Sequence, residues 1–407
     1  VPEAGRLTLD TYLAWGDAYT SGFRNTQWDP ASLQGLYPEA QAVAYPTLLA
    51  GQLALASELT FTQHLTVGNG SGYVALLSVA SPHCSGQISR LSKELRTATP
   101  GWNEPSALPV INNLSVPHLR LASVSTDSLS LVNPFAGRLH LEGSYVNQMA
   151  TRPYTFATLW LGMEDLLNQA MTGAANVGYP ALPNERFVQQ YAEVFAALAR
   201  NNQTPYVLVG NLPDITRFPF FSTVSHRYRS IENCNRDPEP VYIRRGGSTD
   251  GTVAGPRDQI LLSANERIGN NNGLTGLLGL HPDNPLPNAL VLDEQERTAI
   301  QQAIRRHNAS LDSLVAVHNQ QTGYQQVVVV NLWQTFEQVA QGMTTDGLTV
   351  SQDYLGGGIF AIDGLYFTPR GHALVANAFV ETINQTDEWE ASIPPLTLTD
   401  FSGIVFP

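Results

Sequence analysis

Apolar and polar positions along this chain fall into short continuous runs and longer periodic stretches. Tyr12-Leu13-Ala14-Trp15 is an apolar run that ends in Gly16-Asp17. Thr155-Phe156-Ala157-Thr158-Leu159-Trp160-Leu161 is a second, ending at Gly162, and Tyr206-Val207-Leu208-Val209 and Val327–Val330 are two more. Runs this short, without alternation, predict strands covered on both faces. Residues 114–117 predict a fifth, short strand end. Within residues 186–200, Phe187, Tyr191, Val194, Phe195 and Leu198 recur at helical spacing, and Ile300, Ile304, Leu311 and Val315 do so within 293–317. Asp293 with Glu296 three residues on has the form of a capping box. Helices are also predicted over 46–55, with Pro46 in the first turn, and over 370–383. Strands that alternate with helices predict an α/β fold, a mostly parallel sheet with helices on both faces.

Three stretches break the alternation. Residues 60–110 and 215–290 are rich in Gly, Asn and Pro and read as long insertions over the sheet. Residues 332–360 read as a loop ending in Gly356-Gly357-Gly358. Without a Lys or a phosphate motif after it, that glycine run is a turn, not a P-loop. The expected organisation is one domain over residues 1–407 that carries these three insertions.

Composition narrows the class. A hydrophobic content of 43% in 407 residues is enough for a core and argues against disorder. The net charge of −13 argues against nucleic acid, which needs a basic face. Lys93 is the only lysine. Cys84 and Cys234 lie in polar, turn-rich stretches; a disulfide and two free thiols both remain open. No apolar run reaches the ~18 residues that span a bilayer. The chain starts at Val1 without Met, which we read as an export signal already removed. No cofactor motif and no metal-ligand spacing is present.

The Gly-Asp turn after the first apolar run delivers position 18 to the mouth of the sheet, and the residues around it carry a resemblance. Gly16-Asp17-Ala18-Tyr19-Thr20-Ser21-Gly22 resembles the Gly-Asp-Ser-(Leu/Tyr)-Thr-x-Gly block of the SGNH, or GDSL, hydrolases. Val116-Pro117-His118 resembles the second block of that family, Val-Pro-Gly. Leu161-Gly162-Met163-Glu164-Asp165 resembles the third, Gly-x-Asn-Asp. Asp363-Gly364-Leu365-Tyr366-Phe367-Thr368-Pro369 resembles the last, Asp-Gly-x-His-Pro-Thr. The order and spacing resemble most the Bacteroidetes-type branch of exported lipases and esterases. The resemblance implies a three-layer α/β/α sandwich with a flavodoxin-like five-stranded sheet. It also implies a Ser nucleophile, a His base, an Asp that orients it, and an oxyanion hole from the Ser amide, the Gly and the Asn.

The chain departs from that pattern at all but one position. Ala18 stands for the nucleophile, His118 for the oxyanion Gly, Glu164 for the oxyanion Asn and Tyr366 for the base; Asp363 alone is retained. Alanine removes the covalent route. A phenol titrating near ~10 is no base at neutral pH. An ionised Glu164 would put negative charge where an oxyanion must form. Thr20 and Ser21 leave the turn in other directions, and His372 reads as a packing or capping residue. His226, His281, His307 and His318 read as exposed, as do His83 and His140.

Four linked losses point to a degenerate family member, a pseudoenzyme with a binding or assembly role. The alternative is an active esterase, lipase or carbohydrate acetyl esterase with rearranged residues. Asp17, His118, Glu164, Asp363 and Tyr366 form the expected remodelled cleft, with mutual packing preferred over a divalent cation. The resemblance further implies an exported protein, periplasmic or at the cell surface and outer-membrane-anchored through an N-terminal lipid, with protein partners and a lipid or glycan ligand.

Overall fold

The computed structural model describes residues 1–81, 87–139, 141, 143–174, 181–229, 237–246 and 248–407. In chain order the elements used below are β1 (Tyr12–Gly16), α1 (Ala18–Ser21), α2 (Tyr45–Leu53), β2 (Tyr73–Ala80) and β3 (Arg90–Arg96). They are followed by α3 (Tyr145–Thr151), β4 (Phe156–Trp160), α4 (Met163–Ala170), α5 (Asn184–Arg200), β5 (Tyr206–Gly210), α6 (Glu294–Thr322), β6 (Val327–Val330), α7 (Leu332–Gln341) and α8 (Pro369–Gln385).

The central sheet runs β1-β4-β5-β6 with every pairing parallel. Every residue of β1 and β4 is buried, as unalternating apolar runs require. The one polar side chain inside them, Thr158, shares a 2.8 Å hydrogen bond with the Tyr12 hydroxyl. Helix α5 packs on α6, and α2 on α8, giving the α/β/α arrangement. Helix α6 opens with the full Asp293–Glu296 capping box and buries Ile300, Ile304, Leu311 and Val315. Among the described residues, no helix is long and apolar enough to cross a membrane.

The expected fifth strand is reduced to a bridge. Residues 112–116 run beside β1 in the flavodoxin-like position, outside it and parallel to it. Ala14 N–H donates to Asn112 O at 2.9 Å, and Leu114 N–H donates to Ala14 O at 2.8 Å. The ladder opens at one rung, around a side chain, and resumes where Val116 N–H donates to Gly16 O at 2.9 Å. Gly16 N–H donates to the Tyr145 hydroxyl at 2.9 Å, and that hydroxyl donates to Leu114 O at 2.8 Å. A tyrosine of α3 is thus wedged between the two backbones, and four strands remain with a spliced edge.

The insertions contain more structure than their composition indicated. Residues 60–110 hold the antiparallel β2–β3 hairpin. Residues 215–290 carry short antiparallel pairs and a core of their own around Val241, Ile243, Ile260 and Leu286. The 332–360 stretch is not simply a loop. Its first part is α7, capped by Asn331, whose side chain accepts from Gln334 N–H. Leu332, Phe336 and Val339, at i, i+4 and i+7, are its buried stripe.

The Tyr145 splice generates a stability prediction. Tyr145→Phe leaves the Gly16 N–H and the Leu114 carbonyl buried without their shared partner. The expected cost is about 1–3 kcal/mol, read as a lower midpoint in urea unfolding. An unchanged midpoint would remove the hydroxyl from any role at the sheet edge.

Candidate functional site

Strand β1 ends at Gly16, where any Cβ would overlap the Thr20 side chain, so the tight approach of the following turn requires glycine. Asp17 caps α1, its Oδ1 accepting from Tyr19 N–H at 3.1 Å. Ala18 is therefore the first residue of a helix that starts at the sheet's C-terminal edge, and it is fully buried. Neither neighbouring hydroxyl takes its place. The Ser21 hydroxyl donates back to Ala18 O at 2.9 Å, and Thr20 Oγ1 lies 3.4 Å from the Tyr45 hydroxyl.

Strand β4 pairs with β1 in register, Gly16 opposite Trp160, so its own exit turn lies alongside. That turn passes through Gly162 at φ 107° into α4, whose first turn carries Glu164 and Asp165. Acidic residues suit a helix N-terminus, but both are buried here. Asp165 meets Arg120 at 3.2 Å and accepts from Leu121 N–H at 2.6 Å. Burial pushes its carboxyl up to about 6 against the pull of Arg120.

Glu164 is the hub of the remodelled centre. The Tyr366 hydroxyl donates to its Oε1 at 3.4 Å, and His118 Nδ1 lies 3.6 Å from its Oε2. His118 Nε2 is 3.0 Å from Ser32 O, and a carbonyl only accepts, so Nε2 carries the proton. The Nδ1 contact with the carboxyl is attractive only with a proton on one of the two groups. His118 sits at φ 61°, a left-handed conformation that favours glycine. The backbone has the shape expected of a glycine, and a side chain has been placed on it at a cost of about 1–3 kcal/mol.

Aromatic rings close the space between these groups. Tyr366 lies 4.9 Å from Tyr19 and 5.4 Å from Phe23, ring centre to ring centre, and Phe23 meets His118 edge-on at 5.1 Å. Burial, then the Glu164 charge, holds the Tyr366 phenol well above its ordinary range. It is a hydrogen-bond donor here and not a base. Asp363 orients no imidazole. Its Oδ1 accepts from Leu365 and Tyr366 N–H, both at 2.9 Å, and its Oδ2 accepts from Thr26 N–H at 3.1 Å. The retained aspartate ties its own loop to the segment after α1.

The expected cleft residues therefore divide into two groups. Asp17, His118, Glu164 and Tyr366 meet around position 18, whereas the Asp363 side chain is turned to backbone amides. His372 is buried in α8, accepts from Tyr45 N–H at 3.3 Å and is driven down to about 3 by burial. Two histidines expected at the surface are inside. His307 stacks on Phe187 at 4.2 Å, bonds to Leu182 O and is lowered to about 4 by burial; His318 bonds to the Gln326 side chain at 2.9 Å. Both lie on the apolar stripe of α6, which a polar residue at helical spacing does not announce. Cys84 and Cys234, like His83 and His140, fall outside the described residues. Among the described residues no group of three or more His, Cys, Asp or Glu is placed to hold a metal ion.

Beyond His118 lies an open cavity of about 320 Å³, bounded by Leu33, Leu129, Val132 and Phe135 with Arg120 among its polar groups. Nothing in residue order announces it, because its wall comes from residues about a hundred positions apart. The same holds for Tyr19 and Phe23, ordinary apolar positions that become the lid of the packed centre.

The Asp17 carboxyl is held well above its usual range by burial first and by Glu164 second, while the amides of Tyr19 and Glu164 pull it down. In the unfolded chain it ionises near ~4. As pH rises above that, the unfolded state releases a proton that the folded state retains, so this group's contribution to stability falls. Asp17→Asn keeps the capping oxygen and has no proton to lose. Its melting temperature relative to the parent is expected to climb from pH 4.5 to 7.5. A flat or falling difference would show Asp17 ionised in the fold.

The sequence profile of the GDSL-like lipase/acylhydrolase family matches residues 13–379. No functionally curated protein matches the chain. An extracellular lipase from Streptomyces rimosus is similar in structure at 14% identity and TM-score 0.35, over 92% of this chain and 99% of that one. An α/β hydrolase enzyme from the metagenome of Lake Arreo gives 10% identity and TM-score 0.39, over 93% and 97%. A family two carbohydrate esterase from Clostridium thermocellum, an active-site mutant, gives 10% identity and TM-score 0.37, over 94% and 65%. Likeness at this distance carries no chemistry across. The profile match spans most of the sequence and includes all four blocks around the packed centre, and on that ground the chain belongs to the GDSL lipase/acylhydrolase family.

Proposed function

We propose that this chain is a non-catalytic member of its family, with a binding or assembly role in place of ester hydrolysis. The carrying observation is the pairing at the centre: a buried alanine at the nucleophile position beside a tyrosine that donates to a buried Glu164. Acyl transfer needs a nucleophile within reach of a base, and donors aimed at the developing oxyanion. Ala18 offers no nucleophile and Tyr366 no base. Loss of one oxyanion donor costs roughly 3–4 kcal/mol, and a carboxylate in that place opposes the charge directly. Aromatic packing of Tyr19, Phe23 and Tyr366 supports a centre kept for stability.

On this reading the cavity beyond His118 is the part of the ancestral site still open to a ligand. Residues 1–407 act as one SGNH-like unit whose insertions are contact surfaces. We place the protein outside the cytoplasm, periplasmic or at the cell surface, with protein partners in an envelope assembly. The family resemblance motivates that placement, and fractionation of the native host with an antibody tests it.

Short- and medium-chain p-nitrophenyl esters are expected to show no turnover above the uncatalysed rate, and a serine-directed phosphonate no labelling. Ala18→Ser alone is expected to leave both results unchanged, since the base and the side-chain oxyanion donor are still lacking. Turnover that survives stringent purification and responds to substitution of Glu164 or Asp363 would overturn the proposal in favour of a rearranged esterase.

A further inference from the structure

The only lysine of the chain is held in one place by two partners. Lys93, on β3, has its Nζ 4.5 Å above the Trp28 ring and 2.8 Å from Glu266 Oε1. Its side chain is only 23% exposed. Three distant parts of the sequence meet here: the segment after α1, the β2–β3 hairpin and the 215–290 insertion. Two cavities, of about 470 and 290 Å³, open on either side, and Trp28, Lys93 and Glu266 border both. The triad is thus the shared rim of two adjoining cavities, the halves of one cleft, and each half is of the order of a small-molecule site.

This cleft is separate from the packed centre. Trp28 Nε1 donates to the backbone oxygen of Asp363 at 2.9 Å, while the Asp363 side chain faces the amides of its own loop. Trp28 therefore covers the outer side of the loop that carries Tyr366. Packing around Ala18 does not close the cleft.

The lining points to one class of ligand. In the larger half, Tyr228 and Tyr354 add aromatic surface to Trp28, and Arg90, Asn265 and Asn270 add donors and acceptors. An acyl chain would leave those polar groups without partners. A nucleic acid would need a run of free cations, and here one of two is committed to Glu266. A divalent cation would need several oxygen ligands, and the larger half has one carboxylate. A sugar has apolar ring faces for the aromatic residues and hydroxyls that both donate and accept. The Lys93–Glu266 pair supplies the matching acceptor and donor side by side.

We propose that the Trp28–Lys93–Glu266 cleft is a saccharide-binding site that takes an oligosaccharide across the triad, with sugar units in the cavities on either side. This rests on a binding role for the protein but not on the state of Ala18.

The single lysine is its own reporter. Reductive ¹³C-methylation keeps its charge and gives one side-chain amine signal besides that of the chain's α-amine. The methylated protein is titrated with cellohexaose, chitohexaose and hexagalacturonate. The Lys93 signal is expected to move saturably with at least one of the three. Its dissociation constant is expected to rise tenfold or more in Trp28→Ala, and in Arg90→Ala, which removes an exposed side chain and leaves the core intact. Binding is expected to persist in Ala18→Ser. No movement with any of the three up to millimolar concentration overturns the proposal, as does binding that Arg90→Ala leaves unchanged. If Trp28→Ala fails to fold, Arg90→Ala decides alone. Ester turnover, if found, would remove the non-catalytic reading and leave this result standing.

Discussion

Two acid-bearing turns lie side by side at the C-terminal edge of the sheet, and the centre is built around that fact. Because β1 and β4 pair in register, Asp17 and Glu164 are delivered to the same buried place. Two carboxyl groups out of water repel when both are charged, so each needs donors or a proton. Asp17 finds the Tyr19 amide, and Glu164 finds the Tyr366 hydroxyl and the edge of His118. The replacements at the family's four positions are therefore interdependent. A glutamate in the third block requires a donor where the base would be, and the tyrosine supplies it with a ring that fills the space.

On the proposed non-catalytic reading, the same contacts are why a single reversion is not expected to give hydrolysis. A serine at position 18 would face a Glu164 hub and a phenol held in its protonated form, with the one imidazole nearby, His118, turned to Ser32 O and Glu164. His372, the nearest candidate in sequence to the base position, is committed to the Tyr45 amide. The strained backbone at His118 shows the order of constraint. The loop keeps the conformation that suits glycine, and the side chain is accommodated at some cost.

The insertions give the molecule surfaces that the packed centre lacks. The β2–β3 hairpin and the 215–290 segment meet across Lys93 and Glu266, and they do so over Trp28 from the segment after α1. The cavities that border this triad are assembled from segments outside the central sheet.

Much of the architecture was readable from residue order. Unalternating apolar runs located the four strands of the central sheet, helical periods located α5, α6 and α8, and the capping box at Asp293 appeared as written. Residues 112–116 fell where an edge strand belongs, yet the Tyr145 hydroxyl, delivered by α3, interrupts the ladder. Helix α7 was legible too, with Leu332, Phe336 and Val339 at helical spacing, but its shortness and the glycine-rich stretch after it made the segment read as loop. The blocks around positions 18, 118, 164 and 366 disclosed which chemical groups were missing, because identity at a motif position is a local property. Which groups touch is not local. That Glu164 joins Tyr366 and His118, that Asp363 turns to amides and that one lysine lies over Trp28 all depend on strand register and loop closure. Those bring together residues from tens to hundreds of positions apart, and only the folded chain fixes them.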